Sequence, residues 1–189
     1  MGQSNIPVDD QYYTDLEDIL SESKTDKKFH QNIVDAPFVN KFNSTLLGLG
    51  FLAFLLVNKE TNTLDRITIS NTPTALGAIN MTDKPFEDMK VPLNHKGNIV
   101  LTAIATGRYQ QTNDWHYLTD PAVTAEASRF NQAAAGISSS YVYPLVGVNP
   151  KGAIIFQYYL NMHDIEQLHH NFMFRYTKLV STMINERET

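Results

Sequence analysis

The run FLAFLLVN, residues 51–58, is the feature that most restricts how this chain can fold. It is apolar up to Asn58, and residues typical of turns follow it in KETNT, 59–63. A short, continuously apolar run bounded by turn signals predicts a central strand that is covered on both faces. The fold must therefore supply packed elements to both sides of this strand.

The segment after the turn predicts an antiparallel partner for that strand. LDRITIS, residues 64–70, alternates apolar and polar side chains, as a strand does. This alternation places Ile67 and Ile69 on one face of the strand. The opposite face then carries the polar residues Arg66, Thr68 and Ser70.

A second strand pair is predicted towards the end of the chain. SSYVYPLV, 139–146, and GAIIFQYYL, 152–160, are joined by the turn GVNPK. Pro144 cannot donate to a strand ladder, so we expect it at an edge or a bulge. A further short extended segment, KVPLN, precedes residue 95.

Helical patterns lie between and after the strands. Residues 39–50 predict a short helix whose inward side chains are Val39, Phe42, Leu46 and Leu47. Residues 97–107 predict a helix that ends at Gly107, and residues 119–136 predict one capped by Asp120 with Pro121 in its first turn. The last helix is predicted from about Asp164 to Glu186, with a wide apolar stripe formed by Ile165, Leu168, Phe172, Met173, Tyr176, Leu179, Val180, Met183 and Ile184. The order of elements predicts an α+β fold in which helices cover an antiparallel sheet.

Residues 1–36 differ from the rest and are predicted to form an N-terminal helical arm and linker, followed by one domain over 37–189. DDQYYTDLEDILSES places Tyr12, Tyr13, Leu16, Ile19 and Leu20 at helical spacing. This helix either packs on its own domain or serves for dimerisation. SESKTDKK after it resembles a linker. The wide stripe of the last helix also suggests contact with a second protomer.

Composition excludes several classes of function. The net charge of -5 and the absence of a basic stripe give no reason to expect a nucleic-acid partner. The chain has no cysteine, which removes disulfides, thiolate metal sites and a cysteine nucleophile, and is compatible with a cytoplasmic location. No signal peptide is apparent, and the longest apolar run is too short to span a bilayer, so no membrane partner is expected.

Several local strings, in this order, resemble the GAF domain family. IVLTAIATGRYQQTND, 99–114, is similar to a family segment that carries a glycine and an aspartate at the positions of Gly107 and Asp114. GISSSYVYPLVGVNPKGAIIF is similar to the family's strand pair, with Ser139, Pro144, Leu145 and Gly152 in register. The last helix matches the family's C-terminal helix, so the resemblance covers about residues 38–186.

The resemblance implies a GAF-like, PAS-like sheet of about six antiparallel strands. It implies terminal helices that form a dimer bundle on one face and lid helices that close over a small-molecule pocket on the other. RYQQTN, 108–113, would then be a lid loop that returns to the domain at Asp114 and Trp115. The family's pocket segments contain the residues that we expect to bind a ligand: Asp114, Trp115, His116, Phe130, Ser139, Tyr141 and Tyr143.

Structural roles compete with binding at each of these residues. Asp114 also suits a cap for the following turn. Tyr141 and Tyr143 share a strand face and also suit packing, as Phe130 does on its helix. Trp115, the only tryptophan, either lines a cavity or fills it.

Specific chemistries within the family are not supported. Covalent bilin attachment and free methionine sulfoxide reductase activity both work through cysteine, which the chain lacks. A haem would need a histidine aimed into the pocket, and His95 and His116, which flank the lid, fit hydrogen-bonded loop residues better. His163 and His170 do not form a metal-ligand pattern with a carboxylate, and no catalytic motif is present. We therefore expect no cofactor, no metal and no catalytic residues.

The sequence leaves two functions open. The first is a non-enzymatic regulatory domain that binds a small organic ligand without a covalent bond and signals through a homodimer formed by its terminal helices. The second is a degenerate GAF domain whose filled pocket leaves only protein–protein contact. The two differ in whether space remains beneath the lid.

Overall fold

In the computed structural model, which describes residues 8–80, 84–149 and 151–187, the apolar run lies within strand β1, Leu49–Asn58. β1 pairs antiparallel with β2, Thr63–Ile69, and with β6, Gly152–Tyr158. The sheet has the order β3-β2-β1-β6-β5-β4 with every neighbouring pair antiparallel, and its shorter strands are β3 (Val91–Pro92), β4 (Gln110–Thr112) and β5 (Ser139–Pro144). The predicted antiparallel sheet of about six strands is confirmed.

Helices cover both faces of this sheet. The terminal-helix layer consists of α1 (Asp10–Ser21), α2 (Asp26–Val39) and α8 (Gln167–Arg187). The lid layer, on the opposite face, consists of α4 (Pro73–Asn80), α5 (Ile99–Thr106), α6 (His116–Thr119) and α7 (Ala125–Ala135). The short helix α3, Lys41–Leu46, connects α2 to β1. The α+β fold class and this placement of helices are as predicted.

Strand β1 divides the interior into two apolar cores. Leu52 and Phe54 point into the core beneath the terminal helices. Phe51 and Leu55 point into the core beneath the lid layer. Alternate side chains of one strand thus contact both layers, as expected for a strand buried on both faces.

The apolar stripe of α8 is buried within the same chain. Phe172 stacks on Tyr176 at 5.8 Å between ring centroids and contacts the ring of Tyr12 in α1 at 6.2 Å. The Tyr176 hydroxyl donates to the carbonyl of Ile33 in α2 at 2.7 Å. The predicted α8 stripe therefore packs on α1, α2 and the sheet.

Cationic side chains of α8 also hold the N-terminal helices. The Arg175 guanidinium lies 3.8 Å from the centre of the Tyr13 ring and 2.8 Å from the Asp10 carboxylate. The Arg187 guanidinium lies 4.5 Å from the centre of the Phe29 ring. Of the two interpretations of the first helix, packing on its own domain is the one that the structure shows.

The N-terminal segment is more helical than the sequence predicted. Residues 26–28, assigned to a linker, begin helix α2, where the Thr25 hydroxyl accepts a hydrogen bond from the Lys28 amide. α2 runs through the predicted boundary between residues 36 and 37. Residues 1–7 of the predicted arm lie outside the described residues.

Helix α3 does not face the way its apolar residues suggest. Asn40 caps it by accepting from the Asn43 amide at 3.2 Å, and this phase turns Asn43 and Ser44 inward. Leu47 is buried as predicted, but three residues that were predicted to point inward are exposed: Val39, Phe42 and Leu46. One capping contact thus outweighs the apolar pattern in a helix of only six residues.

Helix α7 begins later than predicted. Its N-cap is Thr124, whose hydroxyl accepts from the Ala127 amide at 3.3 Å. Asp120 is instead in contact with the His95 ring, so it does not cap this helix. Gly107 and Gly136 end α5 and α7 in the left-handed conformation, with φ of 66° and 67°, as predicted.

Strand β2 contains a bulge that reverses part of its predicted orientation. Phe54 pairs with Thr68 and Leu55 pairs with Arg66, so Ile67 has no partner in β1. Two residues of one strand then oppose one of the other, and the side-chain alternation shifts by one. Ile67 packs towards the terminal helices, whereas Arg66 and Ile69 both face the lid layer. The prediction that Ile67 and Ile69 share a face is wrong for this reason.

No helix in the described parts of the chain combines the length and the apolar character needed to cross a bilayer.

We expect the N-terminal helices to unfold together with the sheet. Leu20 in α1 is fully buried, and its truncation in Leu20→Ala should lower the free energy of unfolding by about 2–5 kcal/mol. The matched control Leu46→Ala, at an exposed position of α3, should change it by less than about 0.5 kcal/mol. Urea unfolding should be followed by Trp115 fluorescence and far-ultraviolet circular dichroism. An unchanged Trp115 transition in Leu20→Ala would show that the arm is a separate unit.

Stability should fall as the pH rises above 10. Burial raises the pKa of Tyr13 from 10.0 to about 12 despite the nearby Arg175, and burial also raises the pKa of Tyr158 and Tyr176. Between pH 10 and 12 the unfolded chain releases these protons first, so it binds fewer protons than the folded chain and unfolding becomes easier. Urea titrations at successive pH values should show this decline, with a shallower slope in Tyr13→Phe. Constant stability through pH 12 would contradict the assignment.

Candidate functional site

A cavity of about 70 Å³ lies between the sheet and the lid layer. Strands β1, β2 and β6 form its floor through Phe51, Ala53, Arg66, Ile69, Ile155 and Gln157. Its other walls come from α4, the 86–89 segment, α6 and α7. Most of its surface is apolar, and the polar side chains therefore mark where a ligand could be recognised.

Arg66 is the only charged side chain among the described residues that line this cavity. It is 4% exposed, and its guanidinium donates to two backbone carbonyls, Met89 O and, at 2.9 Å, Leu118 O. Within the described ranges, no carboxylate lies within 4.0 Å of its nitrogens. Burial lowers the pKa of Arg66 to about 10, so the side chain remains charged at neutral pH.

Trp115 lines the cavity and is held from three directions. It is 7% exposed, and its ring meets that of Phe51 edge to face at 5.8 Å. Its Nε1–H donates to Gln157 Oε1 at 3.0 Å and to Ser140 Oγ at 3.2 Å. Its backbone amide donates to Gln132 Oε1 at 2.8 Å. The indole therefore has a fixed position in the cavity wall.

Gln132 in α7 fastens the end of the lid loop. Besides accepting from the Trp115 amide, its Nε2 donates to Asn113 O at 2.9 Å and to Ile137 O at 3.1 Å. One buried side chain thus joins the residue before Asp114 to the start of β5. This role is not predictable from the sequence, because an amide within an alanine-rich helix carries no distinctive signal.

Asp114 has a structural role in the described contacts. Its Oδ1 accepts from the His116 amide at 3.0 Å, and its Oδ2 accepts from Arg129 at 2.7 and 2.9 Å. Partial burial acts to raise the pKa of Asp114, but these hydrogen bonds outweigh it and lower the pKa. Asp114 caps the turn, as one of its two interpretations predicted, and does not line the cavity.

Three of the predicted binding residues lie on the face of β5 that points away from this cavity. Tyr141 and Tyr143 point into the core beneath the terminal helices. Tyr141 packs on Tyr158 at 6.0 Å, and the Tyr143 hydroxyl lies 3.0 Å from His170 Nδ1. Ser139 lies on the same face of β5 as these tyrosines, and its hydroxyl donates to Leu160 O at 2.7 Å. Because side chains alternate along a strand, Ser140 and Val142 are the β5 residues on the cavity side.

The remaining two predicted residues are also outside the cavity lining. Phe130 on α7 is 63% exposed and points away from the core. His116 begins α6 beside Tyr117, and its Nδ1 is buried with no partner in the described structure. Of the seven residues that were expected to bind a ligand, Trp115 is the one that lines the cavity.

Two polar residues of α7 complete the cavity wall, and the sequence analysis identified neither. Asn131 is 4% exposed, and its Oδ1 has no hydrogen-bond partner among the described residues. Ser128 is buried, and its hydroxyl lies 2.5 Å from that of Thr119 in α6. Both residues follow the helical spacing of the buried side of α7. No group of three or more metal-binding side chains occurs in the described part of the chain.

Comparison with known proteins is informative only for the fold. No protein-family model matches the sequence. No curated protein matches it either.

Solved structures match nearly the whole chain. The GAF domain of an Acinetobacter phosphoenolpyruvate-protein phosphotransferase is 10% identical, with a TM-score of 0.61 over 98% of this chain and 96% of that one. Residues 122 to 287 of a methyl-accepting chemotaxis protein are 12% identical, with a TM-score of 0.58 over 93% and 97%.

Enzymes also occur among these matches. Free methionine-R-sulfoxide reductase from Neisseria meningitidis is 11% identical, with a TM-score of 0.57 over 98% of this chain and 93% of that one. Identities this low relate the chains by fold only. This chain therefore has a GAF-like fold, which it shares with domains of regulatory and sensory proteins and with a group of reductases.

Proposed function

We propose that this chain is a regulatory domain that senses a small molecule held without a covalent bond beneath its lid layer. The observation that carries the proposal is the cavity itself, which combines a mostly apolar lining with one buried cation and one amide oxygen that has no partner among the described residues. Apolar walls with a few polar groups are typical of small-ligand sites. The GAF-like fold of sensory proteins supports the same interpretation.

Strand β1 offers a route by which occupancy of the cavity would reach the terminal helices. Phe51 and Ala53 line the cavity, and their neighbours Leu52 and Phe54 pack beneath the terminal-helix layer. A ligand that binds two arrangements of the floor with different affinity would shift the balance between them. We propose that the terminal helices pass this shift to a second copy of the chain.

Binding rather than catalysis suits the groups in the cavity. The described lining residues include no carboxylate, histidine, lysine, tyrosine or cysteine. These are the side chains that usually supply a general base, which the lining hydroxyls of Thr119 and Ser128 would need in order to act as nucleophiles. The fold is also that of a reductase, but the described lining contains no cysteine.

The second candidate is a domain with a filled pocket that acts only through protein contact. The cavity volume of about 70 Å³ favours it, because pockets for drug-sized ligands occupy roughly 300–1,000 Å³. Under this alternative, Trp115 and Arg66 fill the space that a ligand would take. The two candidates predict different responses to small molecules.

Filling the cavity should abolish ligand-dependent stabilisation. Wild-type protein should be melted with a panel of small carboxylates, amides, alcohols, amino acids and nucleotides, with Trp115 fluorescence as the signal. At about one hundred times its dissociation constant, a ligand stabilises by about 2.7 kcal/mol, which is roughly 5–10 °C for a domain of this size. Ala78→Leu, on the cavity wall, should lose this shift.

The control Leu76→Met changes an exposed residue of the same helix and should keep the full shift. A panel in which no compound stabilises the wild type would favour the filled-pocket alternative. A shift that persists in Ala78→Leu would place the ligand elsewhere.

Dimerisation should depend on the terminal-helix layer. Phe174 is 59% exposed and is the large apolar side chain of α8 that the described structure leaves most exposed. Phe174→Glu should convert a wild-type dimer into a monomer in sedimentation velocity, because a charge would be buried in the contact. Phe130→Glu, the same change at a similarly exposed site of the lid layer, should leave the dimer intact. A wild-type monomer at high concentration would contradict this part of the proposal.

A further inference from the structure

Arg66 is a buried charge whose described surroundings do not neutralise it. The residue is 4% exposed, and the described cavity lining contains no acidic side chain. Buried cations are normally paired, because removing a charge from water carries a large free-energy cost. The two carbonyl acceptors use two of the five N–H groups of a guanidinium. An anion in the cavity would supply the missing charge.

Asn131 provides a second polar group on the cavity wall. It belongs to α7, on the lid side, and its Oδ1 is buried without a partner in the described structure. Rotating the amide by 180° exchanges Oδ1 with the Nδ2–H donors. An acceptor atom in the cavity would therefore satisfy this side chain as well as Arg66.

The cavity volume limits the size of the ligand. An apolar cavity of about 150 Å³ holds benzene, which has six carbon atoms. By that scale, about 70 Å³ admits roughly three non-hydrogen atoms, the size of formate, and acetate is larger by one atom. The rest of the wall is apolar, with Phe51, Ile69 and Ile155 among its residues. The ligand should therefore combine one anionic group with a very small apolar remainder.

Resting on the proposed function, we propose that the cavity binds a one- or two-carbon monocarboxylate, formate or acetate in size, whose carboxylate pairs with Arg66. The carboxylate accepts a further hydrogen bond from Asn131, and the methyl group or hydrogen contacts apolar lining residues such as Phe51, Ile69 and Ile155. A planar guanidinium suits two carboxylate oxygens at once. Trp115 also lines the cavity, so its fluorescence should report whether a ligand is bound there.

Leu118 O in the lid layer keeps a hydrogen-bond donor when Arg66 turns towards a ligand. Leu118 O accepts from Arg66 Nη2 at 2.9 Å and also from Asn98 Nδ2 at 3.1 Å. When a carboxylate draws the guanidinium away, the Asn98 hydrogen bond remains. The Arg66–Leu118 contact therefore links the anion to α6, which is part of the lid.

Acetate titrations of the full chain test the inference. Thermal shift and Trp115 fluorescence should be followed at constant ionic strength, with sodium chloride replacing sodium acetate. We expect saturable stabilisation by acetate and formate, weaker stabilisation by butyrate because of its length, and none by the neutral isostere acetamide. Saturation matters, because excluded salts also stabilise proteins without binding to a site.

Variants at Arg66 and Asn131 test whether these residues bind the acetate. Arg66→Lys should weaken acetate binding by about tenfold or more, since lysine cannot form the paired contact. Asn131→Ala should weaken it by about threefold to tenfold. Arg108→Lys, at an exposed arginine, should leave it unchanged. If Arg66→Lys does not fold, Asn131→Ala and the comparison of acetate with acetamide decide the question.

Other outcomes overturn the inference in distinguishable ways. Acetate binding that survives both Arg66→Lys and Asn131→Ala refutes it. Neutral compounds that bind wild type but not Ala78→Leu, while carboxylates do not bind, refute the anion and keep the sensing function. If no compound binds, both proposals fail. Asp83 lies outside the described residues, and acetate binding that appears only in Asp83→Asn would mean that the chain supplies its own anion.

Discussion

Burial of β1 on both faces is the constraint on which the rest of this structure depends. One side of the strand needs the terminal helices, and the other needs the lid layer. Because neither layer can be removed without exposing half of the strand, the domain has three layers rather than two. The cavity exists because the lid layer contacts the sheet through Trp115, Leu118 and the helix α7 without filling all the space between them. The strands that form the cavity floor therefore also contact the terminal-helix core through their opposite face.

The sequence predicted the elements whose pattern is long and unambiguous. The β1 run, the paired strands at the end of the chain and the stripe of α8 were predicted within a few residues. Prediction failed where one local contact outweighed periodicity. The Asn40 cap turned α3 around, and Thr124 rather than Asp120 began α7. Several side chains near the start of a helix can act as its cap, and only the three-dimensional structure shows which of them does.

The residues around the cavity were predicted less well than the fold, because successive side chains of a strand point to opposite faces of the sheet. Trp115, in one of the segments that the resemblance indicated, lines the cavity. Within β5, however, the aromatic residues were chosen over Ser140 and Val142, although aromatic side chains fit a packed core equally well. Arg66 was assigned to a polar face, because its role depends on the bulge and on carbonyls 23 and 52 residues away in the chain. Such long-range contacts leave no local pattern.

The bulge at Ile67 has a wider consequence. In a regular β2 strand, the side chains on the cavity side would be those at 69, 67 and 65, whereas the extra residue places Arg66 there instead. The polarity of a cavity in this fold can therefore change through the insertion or loss of one strand residue, with every lining residue elsewhere unaltered. Chains of this fold with closely similar hydrophobic profiles would then differ in ligand charge. Alignments of such chains that take the register of β2 into account would distinguish ligand preferences that a comparison of residue types alone would not.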